Sequence, residues 1–201
     1  MSFIYSDEDV ALIRRAFHGE GWTDPALAGI KRGIKERLLR KQKNACCYCK
    51  RSFHGEFLMV IDIEHVLPKS KFKRMMFSPR NMAVACKRCN MFIKKDRLDF
   101  LALPVDELPK RKFRKQFYKI IHPSLDNYYA NLGIFEYRCN DVMLRKYVVV
   151  DGSEKGDFTY NYFKLKSLEL RSFDAAQGVA GFVAIEPEFK EQWRAILESM
   201  S

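Results

Sequence analysis

The 201-residue chain has no apolar run long enough to span a bilayer; its longest uncharged stretch, Ala175 to Ile185, is short and rich in glycine. No targeting segment is expected either, because Ser6-Asp7-Glu8-Asp9 is acidic where a signal peptide needs positive charge followed by an apolar run. The phosphate-cradling pattern G-x-x-x-x-G-K-[ST] does not occur, so any ATP hydrolysis would have to come from another chain. Internal repeats and low-complexity linkers are also missing. Acidic residues are too few to balance the basic ones, 25 against 36, which leaves a net charge of +11. These absences point to a cytoplasmic protein that does not enter a membrane and has a polyanionic partner.

What is present describes a folded chain. Hydrophobic residues make up 47% and include 16 Phe, enough to bury a core within one domain plus an appendage. The basic charge is concentrated: residues 31–119 hold 25 Lys or Arg against 8 Asp or Glu, and the flanks together are net acidic. Six cysteines fall largely in the same central region. A reducing cytosol disfavours a disulfide framework, so metal binding is the better expectation for them.

Ser6-x-x-Asp9 ahead of Val10, Ala11, Ile13 and Ala16 predicts a capped helix near 7–18. Asp24-Pro25 predicts a second helix, to about Lys41, with a basic exposed face. The run Phe57 to Ile63 reads as a strand, Ser70 to Pro79 as a basic irregular loop, and Asn90 to about Arg97 as a short helix. Beyond Pro104 the pattern predicts a basic helix over Lys110–Lys119 and strands over Ile134–Tyr137 and Tyr147–Val150. A turn at Asp151-Gly152-Ser153 and helices over Tyr160–Ala176 and Glu188–Met200 complete the expectation.

Cys46-x-x-Cys49 and Cys86-x-x-Cys89 are two pairs at knuckle spacing. Each pair can present two thiolates from a tight turn, and together they complete a tetrahedral four-sulfur site for structural Zn²⁺. Cys47 with Cys49 would make a poorer C-x-C pair, so Cys46 is preferred and Cys47 is left as a core or supporting thiol. Cys139 has no partner in sequence and is expected to be free and buried. The 36 residues between Cys49 and Cys86 exceed a simple ribbon's spacer, so something is inserted between the halves of the clamp.

That insert contains Asp62-Ile63-Glu64-His65-Val66-Leu67-Pro68-Lys69-Ser70, then Asn81, then Cys86-Lys87-Arg88-Cys89-Asn90. Carboxylate-His-x-x-Pro, a later Asn, and an Asn directly after a C-x-x-C resemble the HNH endonucleases, in the variant where Asn replaces the third His. The resemblance covers about residues 46–97. It implies an α+β fold: a ββα-metal core on a four-cysteine zinc knuckle, surrounded by helices, with a mainly helical C-terminal appendage. Residues 1–120 would be the nuclease domain and 121–201 the appendage, a candidate docking region carrying Tyr160, Tyr162, Phe163, Phe182 and Trp193.

Position by position, the resemblance implies that His65 is the general base that activates water. Glu64 and Asn90 would be ligands of a single catalytic Mg²⁺ or Mn²⁺, and Asn81 would pin the loop that aims His65. A phosphodiester needs an in-line nucleophile, a base titrating near neutrality and a cation facing developing charge, which fits these roles. One carboxylate and one carboxamide form the oxygen-rich set that suits Mg²⁺ or Mn²⁺. Asp62, two residues before Glu64 on the strand, is expected to orient a ligand or water rather than bind metal. Lys69, Lys71, Lys73, Lys94 and Lys95 are candidate contacts to DNA phosphates.

The wording around the clamp and the later Ile121-His122-Pro123-x-x-Asp126 are similar to nucleases of bacterial anti-phage systems of the Septu type and their retron-linked relatives. That likeness implies an effector nuclease controlled by a partner ATPase. Two other readings stand beside it: a non-catalytic zinc-knuckle module that binds nucleic acid, and a restriction- or homing-type nuclease that acts alone.

Overall fold

The computed structural model describes residues 5–139 and 142–169. Among the described residues, 5–133 and 147–167 form one compact unit, while 134–139, 142–146 and 168–169 fall in a second. Residues 121–133 and 147–167 thus group with the first 120.

The first unit opens with helix α1, Asp7–His18, whose entry is a full capping box: Asp9 N donates to Ser6 Oγ, and Ser6 N donates to the Asp9 carboxylate. Ile13 and Ala16 are its buried stripe. The next segment begins with a single 3₁₀ turn, Pro25–Leu27, capped by Asp24, which accepts from Ala26 N. It continues as helix α2, Ala28–Lys41. This helix buries Ile34, Leu38 and Leu39 and turns Arg32, Arg37, Arg40 and Lys41 to solvent. Gln42 caps it and then acts as a strand partner would. Its Nε2 donates to Val84 O and its Oε1 accepts from Val84 N, so one carboxamide satisfies both backbone groups of a buried residue.

Val84 is the centre of the site-bearing hairpin. Strand β1, Ile61–His65, pairs antiparallel with strand β2, Met82–Cys86, in the register Ile61↔Cys86, Ile63↔Val84, His65↔Met82. Every residue of β2 is buried, which is why it reads as an unbroken apolar run. The expected strand at Phe57–Ile63 begins later than its residue types suggest. Phe57 to Val60 is exposed, with a 3₁₀ turn at Leu58–Val60. The ladder stops at Ile61 because its partner, Cys86, is already entering the second C-x-x-C turn. That turn leads into a π-helical segment, Arg88–Lys94, closed by the bond from Lys95 N to Asn90 O. Strand, strand and helix give the expected ββα order within an α+β fold.

Two other expectations need correction. No basic helix forms over Lys110–Lys119; only Lys115–Phe117 makes a 3₁₀ turn. Like charges along that segment oppose a helix, and its backbone pairs instead with an earlier segment, through Ala102 N to Phe117 O and Lys119 N to Phe100 O. The helix expected over Tyr160–Ala176 starts earlier, as α3, Glu154–Tyr162. It ends where Lys164 takes a left-handed φ of 49°. Gly156 in its first turn is forced, because a Cβ there would stand 2.1 Å from Asn131 O. Between these elements, strand β3, Leu132–Cys139, pairs with strand β4, Val142–Val149, where shorter strands were expected. The expected helix Glu188–Met200, the uncharged stretch Ala175–Ile185, Phe182, Trp193 and the side chain of Cys139 lie outside the described residues. No helix among the described residues is long and apolar enough to cross a membrane.

His122 is fully buried, with its ring 4.4 Å from Tyr118 and its Nδ1 accepting from Ser124 N. Burial first, and Lys155 second, push its pKa from 6.5 down to about 3. Between those values the unfolded chain binds a proton that the folded chain refuses. Stability is therefore full above about pH 6.5 and is lost as pH falls toward about 3. Urea midpoints of wild type should drop more steeply than those of His122→Phe as the pH is lowered from neutrality to about pH 4.

Candidate active site

The four thiols of Cys46, Cys49, Cys86 and Cys89 are buried, and all their sulfurs lie within 4.8 Å of one another. Cys49 Sγ and Cys86 Sγ are 3.8 Å apart, the edge length of a tetrahedron with metal–sulfur bonds of about 2.3 Å. The donor set and its spacing therefore fit a four-coordinate Zn²⁺, and the cluster could hold one. Burial opposes ionisation of Cys46, but the surrounding thiols pull its pKa well below the ordinary value. Cys47 lies outside the cluster, buried, with its pKa raised well above the ordinary value by that burial. The first turn is closed by Cys46 N to Arg51 O and Lys50 N to Cys46 O, with Lys50 in a left-handed φ of 54°. Because Cys86 ends β2 and Cys89 follows three residues on, the cluster ties the hairpin's end to the first turn.

Beside this clamp lies a cavity of about 600 Å³ lined by Trp22, Glu64, His65, Lys69, Asn90 and Lys95, among others. His65 Nε2 is 2.9 Å from Met76 O. A carbonyl only accepts, so the ring proton sits on Nε2 and Nδ1 carries the free lone pair. The rings of Trp22 and His65 meet edge to face, with centroids 4.5 Å apart and an interplanar angle of 89°. Burial, reinforced by Lys69, lowers the pKa of His65 from 6.5 to about 4, so the imidazole is neutral around pH 7.

Glu64 is 1% exposed. Its Oε1 accepts from Tyr48 Oη at 2.9 Å and from Lys94 Nζ at 2.8 Å. Burial raises its pKa, while the Lys94 ammonium opposes that rise. Asn90 donates through Nδ2 to Asp62 Oδ2 at 3.0 Å, and Lys87 Nζ holds Asp62 Oδ1 at 3.0 Å. The carboxylate can only accept from Asn90, so it fixes the carboxamide with Oδ1 turned away from Asp62. Asn81 is fully buried and closes the β1–β2 loop: Leu67 N donates to its Oδ1, and its Nδ2 donates to Leu67 O and Met75 O.

Of the lysines expected at phosphates, Lys69, Lys71, Lys73 and Lys95 are exposed, and all but Lys71 line the cavity. Lys71 instead bonds Asp96 O at 3.1 Å. Lys94 is a correction. It is 0% exposed and spends its ammonium on Glu64 and on His65 O, so it offers a phosphate nothing. Three contributors escaped the sequence reading: Trp22, Tyr48 and the Met76 carbonyl. Trp22 is a rare residue in a loop between helices, a weak sign in itself; the other two carry no local sign.

Residues 46–94 match the HNH endonuclease family. A stretch of 57 residues is 37% identical to Septu protein PtuB of Bacillus thuringiensis, covering 28% of this chain and 22% of that protein. The matched stretch thus spans about a fifth of the length of that relative. No solved structure matches. The chain carries an HNH endonuclease segment and resembles a Septu-type protein.

The thiol cluster predicts about one zinc per purified chain by atomic absorption. Cys86→Ser should lose that zinc, and a strong chelator should lower the melting temperature of wild type but not of the variant.

Proposed function

We propose that this protein is a metal-dependent HNH endonuclease that hydrolyses DNA phosphodiester bonds, acting in the cytoplasm as the nuclease effector of a bacterial anti-phage system. The observation that carries the chemistry is the bond between His65 Nε2 and Met76 O. It puts the ring proton on Nε2 and leaves the Nδ1 lone pair free, on a side chain lining a cavity that also holds Glu64 and Asn90.

In this reading His65 Nδ1 takes the proton from the attacking water, and Trp22 and the Met76 carbonyl hold the ring in its aim. Glu64 and the Asn90 carboxamide oxygen would hold a Mg²⁺ or Mn²⁺, which when bound supplies Lewis-acid stabilisation of charge on the phosphate and leaving oxygen. Asp62 orients Asn90, and Asn81 keeps the loop after His65 in register. Lys69, Lys73 and Lys95 meet phosphates beside the cut, with Lys71 further out. Cys46, Cys49, Cys86 and Cys89 hold structural zinc and take no part in the chemistry.

Residues 1–120 would carry the catalytic machinery, and 121–201, although part of it packs into the same unit, would offer the surface on which a partner ATPase docks. The support for the defence role is the likeness to Septu protein PtuB.

Plasmid nicking with Mg²⁺ or Mn²⁺ should be abolished by His65→Ala while DNA binding persists. Wild type that binds DNA but never cuts it, even with an ATPase partner present, would favour a silent zinc-knuckle binding module instead. Replacing Lys69 or Lys73 with Ala should weaken binding across all sequences alike. Each replacement should also reduce the slope of log affinity against log salt by about one unit, since one phosphate fewer is neutralised.

A further inference from the structure

The Lys94–Glu64 pair is sealed from solvent, with exposures of 0% and 1%. Removing two charges from water costs several kcal/mol per ion, and well-packed apolar residues in their place are often as stable or more so. Stability alone is thus a poor reason for the pair. The ammonium's three donors are all directed: to Glu64 Oε1 at 2.8 Å, to His65 O at 3.0 Å and to Lys95 O at 3.5 Å. The ring of Phe100 lies 5.4 Å away and is itself fully buried. The same side chain therefore grips the carboxylate of Glu64, the main chain of His65 and the end of the π-helical segment that presents Asn90.

We propose that Lys94 is a positioning residue of the metal centre. By occupying Oε1 together with Tyr48, it keeps the Glu64 carboxylate in one orientation and leaves Oε2 for a divalent cation, at a fixed distance from Asn90. The inference rests on the reading of Glu64 and Asn90 as metal ligands. It replaces a phosphate-binding role for Lys94 with one inside the protein.

The test is Mn²⁺ binding to the zinc-loaded protein, followed by the electron paramagnetic resonance of free Mn²⁺, in wild type, Lys94→Met, Glu64→Gln and the double variant. Lys94→Met should weaken Mn²⁺ binding about tenfold or more, the usual cost of removing a group that orients a ligand. Its zinc content and circular dichroism should match wild type. DNA affinity measured without Mn²⁺, and its salt slope, should be unchanged, whereas replacing a lysine that meets phosphate would lower both. In the Glu64→Gln background, Lys94→Met should cause no further loss, since Lys94 acts through that carboxylate. Only the double variant leaves neither charge unpaired, so it reads the site where a single variant does not fold: Mn²⁺ binding as tight as wild type's would then overturn the inference. Equal or tighter Mn²⁺ binding by Lys94→Met, or a further loss in the Glu64→Gln background, overturns the inference while the metal centre stands. Wild type that takes up no Mn²⁺ overturns the metal centre and this inference with it.

Discussion

The four-thiol cluster is the constraint from which the rest of the molecule follows. Its two halves are separated by 36 residues and leave the intervening chain little freedom to wander. One half is a turn closed by Cys46 and Arg51; the other grows directly out of β2. Joining them sets where β2 ends, and through the register Ile61↔Cys86 it sets where β1 begins. The hairpin then carries Glu64 and His65 at one end, and the turn that follows delivers Asn90. A small sheet of two strands would be marginal alone. Here it is fastened at one end by sulfur and along β2 by Gln42, with every residue of β2 buried.

How much of this could be read in the sequence depends on how local each cause is. The capping box of α1, the two C-x-x-C turns and the order Glu64-His65, Asn81, Asn90 are short-range patterns, and the structure brings Glu64, His65 and Asn90 to one cavity. Phe57 to Val60 has strand-like residue types, but a strand needs a partner, and its partner had turned away. Lys110–Lys119 shows the same failure in reverse, since a distant segment at residues 100–102 claims its backbone. Lys94 reads as a surface lysine because lysines usually are. Its partner Glu64 lies 30 positions earlier, and only folding reveals the match. Trp22 and Tyr48 were hidden for the same reason.

Electrostatics divides into two kinds of lysine. Those outside, Lys69, Lys73 and Lys95, stand at the cavity mouth, where salt screens them and no one of them is decisive. The one inside is held by three acceptors at fixed positions. The net charge of +11 cannot distinguish these populations, although their work differs entirely.

Asn81 closes the neck of the β1–β2 loop with bonds to both backbone groups of Leu67. A loop tied at its base transmits little of what happens at its tip. Exposed side chains within residues 69–74 can therefore change without re-aiming the imidazole, so long as Met76, whose carbonyl holds Nε2, keeps its place. That separation is an evolutionary hinge: the outward surface of the loop can drift while the buried ring behind it stays as it is.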